Sequence, residues 1–285
     1  MFKDLSQNNL YRLFASLFLL PILPSFADTF QENIQLSPII SIDEESTPIE
    51  LPSKSYPTPG LTFGVPSGYG ASDRSFFVGL SYGATVDNGP FTFFDSSDEK
   101  VADGSMIFGL GLGNADNLAA EISLGIISLS CQNGESCFGA DGTLGLKLHK
   151  KFDNSFVDAF ALGYSDIVHW GEASDFATIY AAASKDFKLI DKKALFTLGI
   201  GTGSFRTQDD FLANKNSPNL FTGIGVMIAP RLSLSSSWNG SALNAGFGIS
   251  PFNLPISIST GITDITDVKD EGTRYSFNIG YSFSF

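Results

Sequence analysis

The sequence predicts an all-β protein, a closed antiparallel transmembrane β-barrel of twelve strands. Three observations carry this. In the final stretch, Tyr275, Phe277, Ile279, Tyr281, Phe283 and Phe285 alternate without a break with Ser276, Asn278, Gly280, Ser282 and Ser284. Successive side chains of a strand point to opposite faces, so one face is aromatic and apolar, and the other small and uncharged. A soluble sandwich would put charge on its solvent face; an apolar outer band over a small polar interior is the pattern of a membrane barrel strand. Second, strand-like segments of about nine to twelve residues recur from Arg74 onward, separated by turn residues. Third, short and long connections between them alternate, as they do between the two ends of a membrane barrel.

In chain order, residues 1–27 read as a secretory signal peptide. Lys3 and Arg12 give a basic start, Leu13 to Leu23 an apolar core, and Ser25-Phe26-Ala27 a small-residue cleavage site. The apolar run is well short of the roughly 20 residues a spanning helix needs. Residues 28–72 hold Pro38, Pro48, Pro52, Pro57, Pro59 and Pro66 with the acidic run Asp43-Glu44-Glu45. Proline removes ladder donors and like charges repel, so this stretch is expected to be a periplasmic arm or linker. A plug folded into the lumen is the alternative, and composition does not decide between them.

Residues 73–285 hold the barrel. The first predicted strand, Ser75–Thr85, sets Phe76, Val78, Leu80 and Tyr82 against Phe77, Gly79, Ser81 and Gly83. The second, near Ser105–Gly113, sets Met106, Phe108, Leu110 and Leu112 against glycines. The others are expected near Asn117–Ser130, Gly142–Lys151, Ser155–Ile167, Asp175–Phe187, Ala194–Ser204, Asn219–Ala229, Arg231–Trp238, Ser241–Ser250 and Pro255–Thr263, before the closing strand. Thr178-Ile-Tyr-Ala-Ala-Ala-Ser184 leaves the facing of the sixth ambiguous. With both termini in the periplasm, the inward turns are short, whereas Val86–Gly104 and Phe205–Pro218 lie outside. Trp238-Asn-Gly-Ser241 is the exception, a hairpin tight enough for a type I′ turn.

The C-terminal alternation resembles the last strand of bacterial outer-membrane barrels, which end in Phe. That resemblance implies a bacterial outer-membrane location, lipid around the wall, and recognition of Tyr275, Phe277, Ile279, Tyr281, Phe283 and Phe285 by the barrel-assembly machinery. Within it, Trp238-Asn-Gly, Leu243-Asn-Ala-Gly-Phe-Gly-Ile-Ser-Pro-Phe252 and Gly261-Ile-Thr-Asp264 resemble uncharacterised barrels of cyanobacterial type, distantly similar to exopolysaccharide-associated lipoproteins. The chain lacks the cysteine that a lipoprotein carries after its signal.

The formal charge is −13, and removing Lys3, Asp4 and Arg12 with the signal leaves −14. Such an acidic balance argues against nucleic acid and against a basic lipid-binding patch. Cys131 and Cys137 form a close pair in an exported chain and are expected to join in a disulfide clipping a loop; a metal site would want four ligands. Glycine runs such as Gly109-Leu-Gly-Leu-Gly113 fall at alternate strand positions instead of opening a helix, so they do not make a nucleotide fingerprint. No cofactor is expected.

His149 and His169 offer little basis for nucleophilic catalysis, since His169 lacks the Ser-Asn-Gly context of outer-membrane phospholipases. The lumen-facing candidates are Glu121, Lys147, His149 and Arg231, among mainly Gly, Ser, Thr and Asn. Small inward residues predict a water-filled space. The expected function is passive diffusion of small hydrophilic solutes or ions, with acidic outer loops (Asp87, Asp95, Asp209, Asp210) favouring cations. A non-conducting structural, assembly or polysaccharide-export barrel is the alternative, and a lipid-modifying enzyme using His149 or His169 is a third, less favoured one.

Overall fold

The structure, a computed structural model, describes residues 59–86, 102–127, 129, 138–153, 155–171, 177–251, 253–266 and 272–284. The predicted signal peptide, the Cys131–Cys137 pair, residues 28–58 of the predicted arm and Phe285 lie outside them. Twelve antiparallel strands close into one barrel, each paired with its sequence neighbours and the first with the last. They are β1 Ser75–Thr85, β2 Ala102–Asn114, β3 Leu118–Ile126, β4 Gly142–Lys151, β5 Ala159–Trp170 and β6 Ile179–Leu189, then β7 Lys192–Gly201, β8 Asn219–Ala229, β9 Leu232–Trp238, β10 Leu243–Ile249, β11 Ile256–Thr263 and β12 Arg274–Ser284. Between β7 and β8 the loop holds a 3₁₀ turn, Gly203–Phe205, and a short helix α1, Gln208–Leu212, capped by the Thr207 side chain accepting from the Asp210 amide.

Closure runs along the whole of β12, from Ser75 opposite Ser284 to Thr85 opposite Arg274. A closed sheet leaves no row of unpaired backbone groups, which hydrocarbon could not solvate. The apolar row of β12 faces outward: Phe277, Ile279, Tyr281 and Phe283 are exposed, while Ser276 and Asn278 are buried inside. The same division runs round the wall, with Leu80, Leu110, Leu146, Leu162, Leu198 and Ile224 among the exposed residues. A continuous apolar belt of this extent would be an aggregation surface in water, and lipid is the medium that covers it. No helix among the described residues is long and apolar enough to cross a membrane; the strands do.

The structure departs from the predicted elements in several places: β3 ends at Ile126 and not Ser130, and β5 runs Ala159–Trp170 and not Ser155–Ile167. At the β6–β7 turn the strands run further than the pattern suggested, because Ile190 and Asp191 both take positive φ (50° and 62°) and close the hairpin in two residues. The Asn239-Gly240 hairpin is not a type I′ turn. Gly240 alone has positive φ (102°), and the Asn239 carboxamide oxygen caps the loop by accepting from the amides of Ser241 and Ala242. In β5 the register against β4 slips between Leu144 and Leu146, a bulge that buries Asp166, whose carboxylate accepts from the Thr178 amide at 3.3 Å. The sixth strand, ambiguous in sequence, turns Tyr180, Ala182 and Ser184 inward and Ile179 outward.

If the belt faces lipid, Leu198→Arg in β7 should destabilise the barrel by about 2–4 kcal/mol, measured by reversible urea unfolding in lipid vesicles. A loss no larger than that of Leu198→Ala would place this wall in water.

Candidate functional site: the lumen and the segment inside it

The inward face of a barrel strand takes every second residue, and here that row is rich in hydroxyls, carboxamides and glycine. Ser184 and Thr197 are hydrogen-bonded across β6 and β7 at 2.7 Å, and the Ser81 hydroxyl donates to the Asn278 side chain at 2.6 Å. Asn244 of β10 donates to the Ser237 hydroxyl of β9. Hydrogen-bonded to one another, these groups are satisfied without charge.

Into this interior runs the stretch immediately before β1. Residues 59–72 form neither strand nor helix, yet Phe63, Val65, Ser67 and Tyr69 are all buried. The wall supplies the backbone partners that the segment's own structure does not. Ser233 and Ser237 donate to the carbonyls of Gly60 (2.7 Å) and Phe63 (2.5 Å). The Gly68 amide donates to the Ser184 hydroxyl at 2.8 Å. The Ala71 amide donates to the Glu121 carboxylate at 2.7 Å, and the Ala71 carbonyl accepts from His149 Nε2 at 2.8 Å. A carbonyl can only accept, so His149 carries its proton on Nε2; its buried Nδ1 has no hydrogen-bond partner among the described residues. The Tyr69 hydroxyl donates to Asp186, whose own amide donates to Asp158, and Asp158 pairs with Lys185 at 2.7 Å.

Glycines of the wall make this fit possible. A β-carbon on Gly225 would stand 2.0 Å from the Leu61 carbonyl oxygen, and one on Gly111 would stand 2.1 Å from that of Ser72. Phe63 lies over Gly246 and Gly261, and Val65 over Gly223. The segment reciprocates: a β-carbon on Gly68 would meet the Ala159 carbonyl oxygen at 2.4 Å. With Tyr69 also packed beside Leu195 of β7, the segment meets every strand from β2 to β11. Other wall glycines lie beneath rings, Gly109 under Phe77, Gly163 under Tyr180 and Gly199 under Phe221. Small inward residues predicted a water-filled space; rings and the lumen segment occupy it instead.

Nearer the long-loop end, Val65 docks against an aromatic group. Phe205 and Phe221 stack with centroids 4.3 Å apart, and Tyr180 meets both edge-on.

Among the sequence-predicted lumen residues, Glu121, Lys147 and His149 sit together on β3 and β4, with Glu121 opposite Lys147 in the register. Glu121 and His149 converge on Ala71. Arg231 stands apart, in the β8–β9 turn, where its guanidinium donates to the Pro251 carbonyl and the Asn253 side chain of the neighbouring turn. Pattern reading missed several buried charges: Asp103, Asp166, Arg206, Asp264 and Arg274, together with the half-buried Asp186. Three were within reach of the alternation. Arg274 has the parity of Ser276 and Asn278, Asp103 that of Ser105, and Asp186 that of Ser184. Arg206 and Asp264 lie in loops, where no period places them. Neither His149 nor His169 is hydrogen-bonded to a hydroxyl among the described residues, and His169 is exposed.

No protein-family model matches the chain, and no curated protein sequence does. Solved structures similar to it are bacterial outer-membrane barrels. The COG4313 outer membrane channel from Pseudomonas putida F1 aligns with a TM-score of 0.43 and 12% identity, over 75% of this chain and 97% of that one. Omp33 of Acinetobacter baumannii aligns with a TM-score of 0.40 and 8% identity, over 75% and 100%. Outer membrane phospholipase A from Escherichia coli aligns with a TM-score of 0.38 and 12% identity, over 75% and 91%.

Ser184→Ala removes the acceptor of the Gly68 amide. Hydrogen exchange at Gly68 should then rise about tenfold while the β6 amides keep their protection. Unchanged exchange at Gly68 would show that this bond does not hold the segment.

Proposed function

We propose that this chain is a channel of a bacterial outer membrane, closed by its own residues 59–72, which passes small hydrophilic solutes or ions by diffusion when that segment withdraws. The observation that carries the reading is how the segment is held. Its bonds to the far wall run to serine hydroxyls, a carboxylate and an imidazole, not to a strand ladder. Each such bond contributes only about 0.5–1.5 kcal/mol net, or about 1.5–3 kcal/mol on the carboxylate, and each wall partner regains water once the segment leaves. A plug built on a continuous apolar core would have no such exchange available.

In this reading the short-turn end faces the periplasm and residues 28–58 lead to the segment from that side. Residues 1–27 direct export, Cys131 and Cys137 clip an outer loop, and the alternation from Tyr275 to Phe285 serves barrel assembly. Withdrawal uncovers Glu121 beside Lys147 and His149, and Asp186 beside Asp158 and Lys185. Toward the far end Asp103, Asp166 and Asp264 stand against Arg206 and Arg274, so carboxylates still outnumber basic groups and cations are favoured. The occupied lumen also fits a structural barrel that never opens, and one measurement separates the two.

Gly68→Leu drives a side chain into the Ala159 carbonyl and should expel the segment while leaving the wall sequence intact. In planar bilayers the wild-type chain should be mostly silent, and the variant should show discrete, cation-preferring steps. Silence from both, with each shown folded by its heat-sensitive gel mobility, would establish the structural barrel.

A further inference from the structure

Beside the Tyr69 hydroxyl on Asp186, the bonds that seat the lumen segment address its main chain at Gly60, Phe63, Gly68 and Ala71. Every polypeptide carries those groups. The two partners on Ala71 grip one residue from both sides, Glu121 taking the N–H and His149 giving a proton to the C=O. Ser184 takes the N–H three residues earlier. Where the wall comes closest, the segment carries glycine: a β-carbon on Gly70 would lie 2.5 Å from the His149 ring, and one on Gly68 would meet the Ala159 carbonyl. The wall, through its own glycines, makes room for backbone at Leu61 and Ser72.

From this we infer that the lumen is a binding site for oligopeptides, recognised through backbone amides and carbonyls with glycine where the wall comes closest, and that such peptides are the channel's solute class. This rests on the channel reading above. The segment is then an internal competitor: it occupies the groups that a permeating peptide uses, and a peptide enters as the segment leaves. Ser184 and Glu121 accept from amides while Ser233, Ser237 and His149 donate to carbonyls, a set that suits a peptide backbone, and at the positions of Gly68 and Gly70 a bulky residue would strike the wall.

The test uses the full-length Gly68→Leu chain in planar bilayers, with Gly70→Leu as a second expelling variant should the first not fold. Three probes are added in turn: a peptide with the sequence of residues 59–72, a Gly-Ser repeat of equal length, and the first peptide N-methylated at the residues matching Gly68 and Ala71. The first two should interrupt the current in discrete dwells, and the methylated peptide should do so at least roughly tenfold more briefly. Adding Ser184→Ala to the expelling variant should shorten the dwells roughly threefold to tenfold. Steps without block by any peptide would overturn the peptide inference and leave the channel standing. Block by the 59–72 sequence alone would make the site private to this segment, and equal block by the methylated peptide would rule out backbone recognition; either overturns the inference. Absence of steps in both variants, each folded, would instead sink the channel reading beneath it.

Discussion

Everything in this structure follows from the closure of β12 on β1. Once Ser75 pairs with Ser284 and Thr85 with Arg274, the sheet has no edge and each strand has an inside and an outside. The outside is settled by transfer energetics, since a belt of Leu, Ile and Phe at alternate positions is stable only against hydrocarbon. The inside is a bounded volume that must be filled by side chains, by water or by chain. Because β1 continues directly from residue 72, closing the barrel also decides where the preceding residues can lie.

What fills that volume explains why the inward rows are so poor in side chain. Gly109, Gly163 and Gly199 each lie beneath an inward ring, and Gly225 and Gly111 lie against backbone of residues 59–72. Glycine inside a strand is costly to its intrinsic stability, yet here the absent β-carbon is occupied by something else in the same molecule. The two sides of the contact are matched, since Gly64, Gly68 and Gly70 of the segment also sit against wall atoms.

The interior sorts its polar groups by strength. Uncharged hydroxyls and carboxamides hold one another and the first half of the segment, through Ser233 and Ser237. Ionisable groups hold the second half, through Glu121, His149 and Asp186. Hydrogen bonds to charged groups are the stronger kind, and the half of the segment adjoining β1 is the half that has them, while the first half is also packed through Phe63 and Val65.

The sequence by itself determined the wall. Period-two alternation is a property of one strand's own residues, so the facing of β1, β2, β7, β8 and β12 was legible from Phe76, Leu110, Leu198, Ile224 and Phe277 without knowing any partner. The even strand count was legible for the same reason. Hairpin detail was not: whether Ile190 and Asp191 take positive φ, or Asn239 caps its loop with its side chain, depends on how far the flanking strands pair. The contents of the lumen were decided only in three dimensions. Pro59, Pro66 and the glycines between them left a periplasmic arm and a lumen plug both open, because a segment without a period carries no sign of its partners. Its partners are Ser184, Ser237 and Glu121, from 50 to 174 residues away along the chain, and only the closed barrel brings them to it.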